Sequence, residues 1–505
     1  MRTSHLYHSL IAATLLLLLS LPLLAQPKLT VVVMIDGLTQ DNLTKLRPYW
    51  SAGGLRTLSE EAFQTTIEFP HLVHGGQETT ATLMTGATPA RHGIMADTYF
   101  VRFNRTIQET LHDDHASGIG INCQLSPRAI LSTTIADEWR IIHGKQAKIY
   151  AIGLQPQATI IMAGHAADAC CWLENKTMKW VTTSFYPEGL PSAADEMNVS
   201  GRIMELSERN WTPRLSSTDM YTSPTKEEKR RGFNYPIKDH LLHTPAANTL
   251  VIELALDMQK EEKLGEDIIP DILFLQLNTL SPKAHSDVIN SAEQEDMYLN
   301  INQDLGFLME QLNNRIGKDQ YQLIVVGRPV KGYDYNKLEM AGIPIQHFNV
   351  DRAAALTSTY LMAIYGHERW VDGGHGPFIY LNRTLIEQRR LSLETIQRQA
   401  ANFLMDFEGV QLAYPIHEAI TSDSRHSIYR KHAGDVYFQL QDNWVLDNNE
   451  KNTFDHVIQA TPTVPMILWS ATIRALPQEK IDATDIKSLI LYNNETFSHY
   501  DFLRN

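Results

Sequence analysis

Residues 29–38 read Leu-Thr-Val-Val-Val-Met-Ile-Asp-Gly-Leu. An unbroken apolar and β-branched run leaves no face for water, so it reads as a strand buried on both sides. Asp36-Gly37 closes the run and puts a carboxylate at its C-terminal end. Working outward, similar runs follow at 147–152, 272–277, 323–326, 377–381 and 464–469. Helical patterns lie among them at 78–85, 127–142, 249–259, 292–313 and 393–407. Strands alternating with helices predict an α/β fold, a mostly parallel sheet with helices on both faces. Ligands of such sheets bind beyond the strand C-termini, where Asp36, Ser281 and Arg328 fall. The more polar stretch at about 97–245 is read as an inserted cap over the sheet's mouth, with 226–231 as a solvated charged loop.

The chain has 505 residues, room for about three domains of ~150 residues or one large domain with insertions. Apolar residues make up 43% and charged residues 20%, which excludes a disordered, collagenous or coiled-coil protein. The net charge of −14 argues against a nucleic-acid partner, because phosphate backbones demand a basic face. Before Lys28 the only formal charge is Arg2, and an apolar stretch runs over 10–24 to Leu-Leu-Ala at 23–25. This is the pattern of a signal peptide over 1–25, cleaved near Ala25. The stretch is shorter than the ~20 residues a membrane span needs, and Pro22 breaks it. With no later span and no Cys after the run, a periplasmic or secreted protein is expected, without a transmembrane segment. Losing Arg2 takes its charge from −14 to −15. Three cysteines are too few for a disulfide-built scaffold. In an oxidising compartment Cys123 is expected to pair with Cys170 or Cys171; the plainer reading is three thiols.

Three segments together carry a family resemblance. They are VVVMIDGL at 31–38, MTGATPARHGI at 84–94, and the acidic helix pattern EDMYLNINQDLGFLMEQL leading into the strand near 323. AGHAADACCW at 163–172 and GDVYFQLQDNWVL at 434–446 add to them. The chain resembles the alkaline phosphatase superfamily, in the branch of exported bacterial phosphomonoesterases and type I phosphodiesterase/nucleotide pyrophosphatases. The resemblance covers most of the chain after residue 25, so 26–505 is expected to be one such domain. It implies two divalent ions, usually zinc, ~4 Å apart, which stabilise the attacking and leaving oxygens. It also implies a Thr or Ser nucleophile at a helix N-terminus. An Asn, with a Lys and an Arg in the phosphomonoesterase branch, would grip the phosphoryl group.

Carried over position by position, the resemblance leaves most of these roles unfilled. The first-strand metal ligand is Asp36. The nucleophile slot, nine residues before Thr85, falls on Gly76, and 67–78 holds no Ser, Thr or Cys. The phosphate-gripping Asn falls on Asp97, and the Lys and Arg on Gln155 and Gln157. The Asp-x-x-x-His pair reads Ser281 and His285, and the following Asp-His pair reads Arg328-Pro329. The last His matches His456. Asp36, His285 and His456 are therefore the residual metal-site positions, and they make no full shell. Asp36 without a cation would be a bare buried carboxylate, which is costly. Arg328 is expected to pair with it and replace the metal's charge; the alternative points Arg328 into solvent.

Other polar clusters have plainer readings. His112-Asp-Asp-His115 reads as a surface loop, and Asp372-Gly-Gly-His375 near His367 and Glu368 as a glycine turn. His71 and His74 flank the nucleophile slot and are read as loop histidines, and His92 as a structural hydrogen bonder. Trp172, Trp180 and Tyr186 either line a binding mouth or simply pack. The expected function is that of a catalytically degenerate pseudo-phosphatase, with a binding or scaffolding role, no catalytic residue and no cofactor. Its partner would be another exported or envelope protein. The alternative is a zinc-dependent phosphate-ester hydrolase with a rearranged site, using Thr79 or a histidine. A third reading is an anion pocket at Arg328 and Lys331.

Overall fold

The structure is a computed structural model that describes residues 27–72, 76–215, 232–282, 292–330, 342, 344–419, 423–441, 443–448, 453–455, 463–470 and 480–492. The expected signal peptide, His74, His285, Lys331 and His456 lie outside the described residues.

The run at 29–38 forms strand β1 (Leu29–Asp36), buried along its whole length. Nine more strands build one sheet: β2 (Phe63–Glu68), β3 (Gly118–Ile119), β4 (Ile149–Gly153), β5 (Ala169–Glu174), β6 (Lys179–Thr183), β7 (Asp271–Asn278), β8 (Tyr321–Arg328), β9 (Thr463–Ser470) and β10 (Lys480–Asp482). Their spatial order is β10-β2-β9-β8-β1-β7-β4-β5-β6-β3. The five inner strands β5, β4, β7, β1 and β8 run parallel; β9 on one side and β6 on the other pair antiparallel with them, and β10 pairs parallel with β2. β1 thus lies near the middle, where both faces need cover.

Alternate residues of β1 feed two cores. Val31, Val33 and Ile35 pack with helices α3 (Pro245–Glu261) and α4 (Ala292–Arg315). Val32 and Met34 pack on the other side with α1 (Gln77–Thr85) and α2 (Pro156–Ala163). The result is the expected helix–sheet–helix sandwich. No helix among the described residues is long and apolar enough to cross a membrane.

Two placements depart from the sequence reading. Besides β4, whose run was expected, the stretch 97–245 contributes β3, β5 and β6 to the main sheet, rather than standing over it as one cap. The run at 377–381 does form a strand, Phe378–Leu381, but in a separate antiparallel sheet with Val371–His375, Val410–Pro415 and Val436–Leu440. An apolar run reports burial, not which sheet buries it. This second sheet has its own core with helices Val350–Tyr365 and Leu393–Leu404. A hairpin of Thr98–Val101 and Thr106–Glu109 leans on it. There Arg102 meets the buried Asp435 at 2.8 Å and Phe100 packs 4.5 Å from Tyr380.

All three cysteines are free thiols, so the expected bridge is not formed. Cys170 and Cys171 are neighbours on β5 and point to opposite faces, one into each core. Cys123 is only half-buried.

Candidate functional site

The register of the central strands places Asp36, the last residue of β1, directly beside Arg328, the last of β8. Neither side chain reaches water: Asp36 is 0% and Arg328 3% exposed. Arg328 Nε donates to Asp36 Oδ1 at 2.6 Å and Nη2 to Oδ2 at 2.5 Å. From the strand on the other side, Gln276 Nε2 donates to Asp36 Oδ2 at 3.0 Å. With N–H donors on both oxygens, the group is held as a carboxylate, since a protonated oxygen would have to donate.

The rest of the guanidinium is also used. Nη2 donates to Gln155 Oε1 at 2.7 Å and Nη1 to Thr80 Oγ1 at 3.3 Å. Gln276 Oε1 in turn accepts from the backbone N–H groups of Leu154 at 2.6 Å and Gln155 at 3.0 Å, just past β4. Arg328 therefore ties the ends of β1 and β8 to α1 and the β4–α2 turn. Burial pushes the Asp36 carboxyl above its ordinary range, and Arg328 and then Gln276 offset this only in part. Burial alone would lower the Arg328 pKa. Asp36 first, then Asp97 and Glu78, more than offset that and hold the cation.

Gly76, the position expected for a nucleophile, is hemmed in by its neighbours. Gly76 is the N-cap of α1. Asp97 Oδ1 accepts from the next backbone N–H, Gln77, at 2.9 Å, and Glu78 Oε1 accepts from Gly76 N–H at 3.2 Å. A Cβ on Gly76 would stand 2.6 Å from Asp97 Oδ1 and 2.9 Å from Glu78 Oε2. A side chain here would push these two carboxylate ends aside; the glycine's φ of −110° makes no demand of its own. A carboxylate thus takes the helix N-terminus, the position suited to an anion.

The hydroxyls nearest Gly76 are already engaged. Thr79 is buried and its Oγ1 donates to Gly76 O at 2.8 Å. Thr80 is buried against Arg328. Ser281 is buried just beyond β7 and Pro329 directly after Arg328. Gln157 lies half-buried in the first turn of α2, two residues from the engaged Gln155.

His71 Nε2 and His92 Nε2 both meet Thr82 Oγ1, at 2.8 and 3.1 Å, and His92 Nδ1 accepts from Ile94 N–H. Burial, with His71 nearby, lowers the His92 pKa to about 3, so this ring is neutral and structural. In the HDDH segment, His112 Nε2 meets Asp114 at 2.9 Å and Asp113 accepts from Ser126 at 2.6 Å. Residues 371–375 form an edge strand rather than the expected glycine turn. Its glycines give room instead: a Cβ on Gly373 would meet the Phe100 ring at 2.9 Å. Asp372 pairs with Arg105 at 2.7 Å, and Glu368 with Arg389 Nε at 2.9 Å. Trp172, Trp180 and Tyr186 are buried packing residues.

The described residues do not fit the two zinc ions that the resemblance implies. Both Asp36 oxygens face a guanidinium, which cannot ligate a metal, and Ser281 and Pro329 stand at two further ligand positions. Sequence reasoning missed Gln276 and Glu78. Gln276 had a signal, a lone amide inside the apolar strand ILFLQLN.

The type I phosphodiesterase / nucleotide pyrophosphatase family model matches residues 30–464. The chain is 25% identical to a protein named calcium-transporting ATPase from Myroides odoratus, over 79% of this chain and 77% of that one. It is 24% identical to alkaline phosphatase PhoV of Synechococcus elongatus, over 83% of this chain and 81% of that one. The crystal structure of wild-type alkaline phosphatase PafA superposes with a TM-score of 0.81 at 20% identity, covering 91% of this chain and 94% of that one.

Proposed function

The chain belongs to the type I phosphodiesterase / nucleotide pyrophosphatase family, and from that premise we propose that it is a catalytically degenerate member that binds rather than hydrolyses. One observation carries the reading: Arg328 fills the end of β1 with a fixed cation and engages both oxygens of Asp36. A divalent ion there would have to displace a buried, multiply hydrogen-bonded guanidinium, and like charges would oppose it. Asp97 at the α1 N-terminus supports the same reading, because it presents negative charge where a phosphoryl group would dock.

On this reading the protein needs no metal cofactor. The apolar stretch ending at Ala25 supports export to the periplasm or the medium, where it would serve another exported or envelope protein as a binding or scaffolding component. The test is turnover of p-nitrophenyl phosphate and bis-p-nitrophenyl phosphate, with and without added zinc. The expected rates equal the buffer blank for both esters. Zinc-dependent release of p-nitrophenol that rises with protein concentration would overturn the reading and restore a hydrolase with a rearranged site.

A further inference from the structure

Asp97 also lines a cavity of about 80 Å³, together with residues of the Thr98–Val101 strand and the second sheet. Its walls are aromatic: Tyr99, Phe378, Tyr380, Tyr437 and His432. Tyr99 and His432 stack with their rings 3.9 Å apart and 7° from parallel. No lysine or arginine is among its described lining residues, and Asp97 is their one carboxylate. Burial and the neighbouring Lys431 bring His432 down to about 4, so its ring is neutral at pH 7. The Tyr380 ring already holds Arg102 4.8 Å over it, a guanidinium that is itself paired with the buried Asp435. A wider cleft of about 800 Å³ adjoins the cavity and shares His375, Gly376 and Leu446 with it, which gives a route in from solvent.

We propose that this aromatic pocket binds an organic cation, with an alkylammonium head group against the ring faces and Asp97, and its remainder leading out along the cleft. Ring faces attract cations through their quadrupole, and desolvation strengthens the attraction. A carboxylate beside them adds charge complementarity and rejects anions. The proposal deepens the binding role proposed above by naming a ligand class for the same end of the sheet, and it rests on that role.

The test is a ligand-observed NMR titration of the full mature protein with tetramethylammonium, tert-butyl alcohol as its neutral isostere, and inorganic phosphate. Saturable tetramethylammonium binding is expected, about tenfold tighter than that of the alcohol, with no binding of phosphate. Asp97→Asn, which keeps a side chain able to cap α1, should weaken the cation by about tenfold and leave the alcohol unchanged. Tyr99→Ala, at a half-buried hairpin position, gives a second readout that does not depend on the α1 cap. The proposal is overturned by absent tetramethylammonium binding, by equal affinity for the alcohol, or by equal cation affinity in both variants. The ester-turnover assay is separate. Absent cation binding without turnover removes the pocket assignment alone, whereas zinc-dependent turnover removes the degenerate-member reading and the titration still decides the pocket.

Discussion

Arg328 and Asp36 face each other across adjacent parallel strands, end to end in register, and share two hydrogen bonds of 2.6 and 2.5 Å in a site closed to water. Such a pair is expensive to half-remove, because the remaining charge stays buried alone. Arg328→Met should destabilise the fold by about 3–5 kcal/mol. The double variant with Asp36→Leu should recover most of that loss, since replacing both partners by apolar groups is often near neutral. Urea denaturation of wild type, single and double variants at pH 7 checks this. A single variant as stable as wild type would show that the pair is not the buried ion pair described.

Restoring a hydroxyl at the nucleophile slot should fail. Gly76→Thr puts a Cβ within 2.6 Å of Asp97 Oδ1, so Asp97 must leave the α1 N-terminus. The expected outcome is a loss of about 1–3 kcal/mol from overpacking and a lost cap, with no ester turnover. Adding Asp97→Ala should return part of the stability, still without turnover. Melting curves and the p-nitrophenyl ester assay on both variants read this out.

His92 gives a pH signature. Burial, then His71, depresses its folded pKa to about 3, below the ordinary 6.5. Above pH 6.5 the ring is neutral folded or unfolded and pH has no hold on it. Below 6.5 the unfolded chain takes the proton first, so stability falls with pH until the folded ring titrates near 3. The slope is about 1.4 kcal/mol per pH unit, or about 2 kcal/mol between pH 6.5 and 5. His92→Gln should lose that share of the acid sensitivity, whatever its stability at pH 7. Chemical denaturation of both proteins across this range checks the slope.

The central strand was legible because one short apolar run states its own burial, and its final Asp states where the site lies. Gly76 and Arg328 stood out as departures from the resemblance for a similar reason: each breaks a local pattern. Their surroundings were not, except for the Arg328–Asp36 pair, which was expected from the cost of a bare buried carboxylate against the alternative of Arg328 in solvent. Asp97 reads in sequence only as a charge that would repel phosphate. That it caps α1 depends on the path of the chain from 85 to 97. β2 was missed because FQTTIE sets three polar residues in a row and draws its burial from β9, 405 to 395 positions later (Phe63 opposite Leu468 to Glu68 opposite Thr463). β5 and β6 were folded into a supposed cap because hydropathy does not carry strand order. The second sheet was hidden for the same reason.

The most direct test of the account is the zinc content of the mature protein, purified and dialysed without chelator, measured by mass spectrometry of the metal. With Arg328 holding Asp36, far less than one zinc per chain is expected, and chelator should leave the melting temperature unchanged. Close to two zinc ions per chain, with a melting temperature that falls on chelation, would contradict the account, because Arg328 could not then occupy the place of a metal.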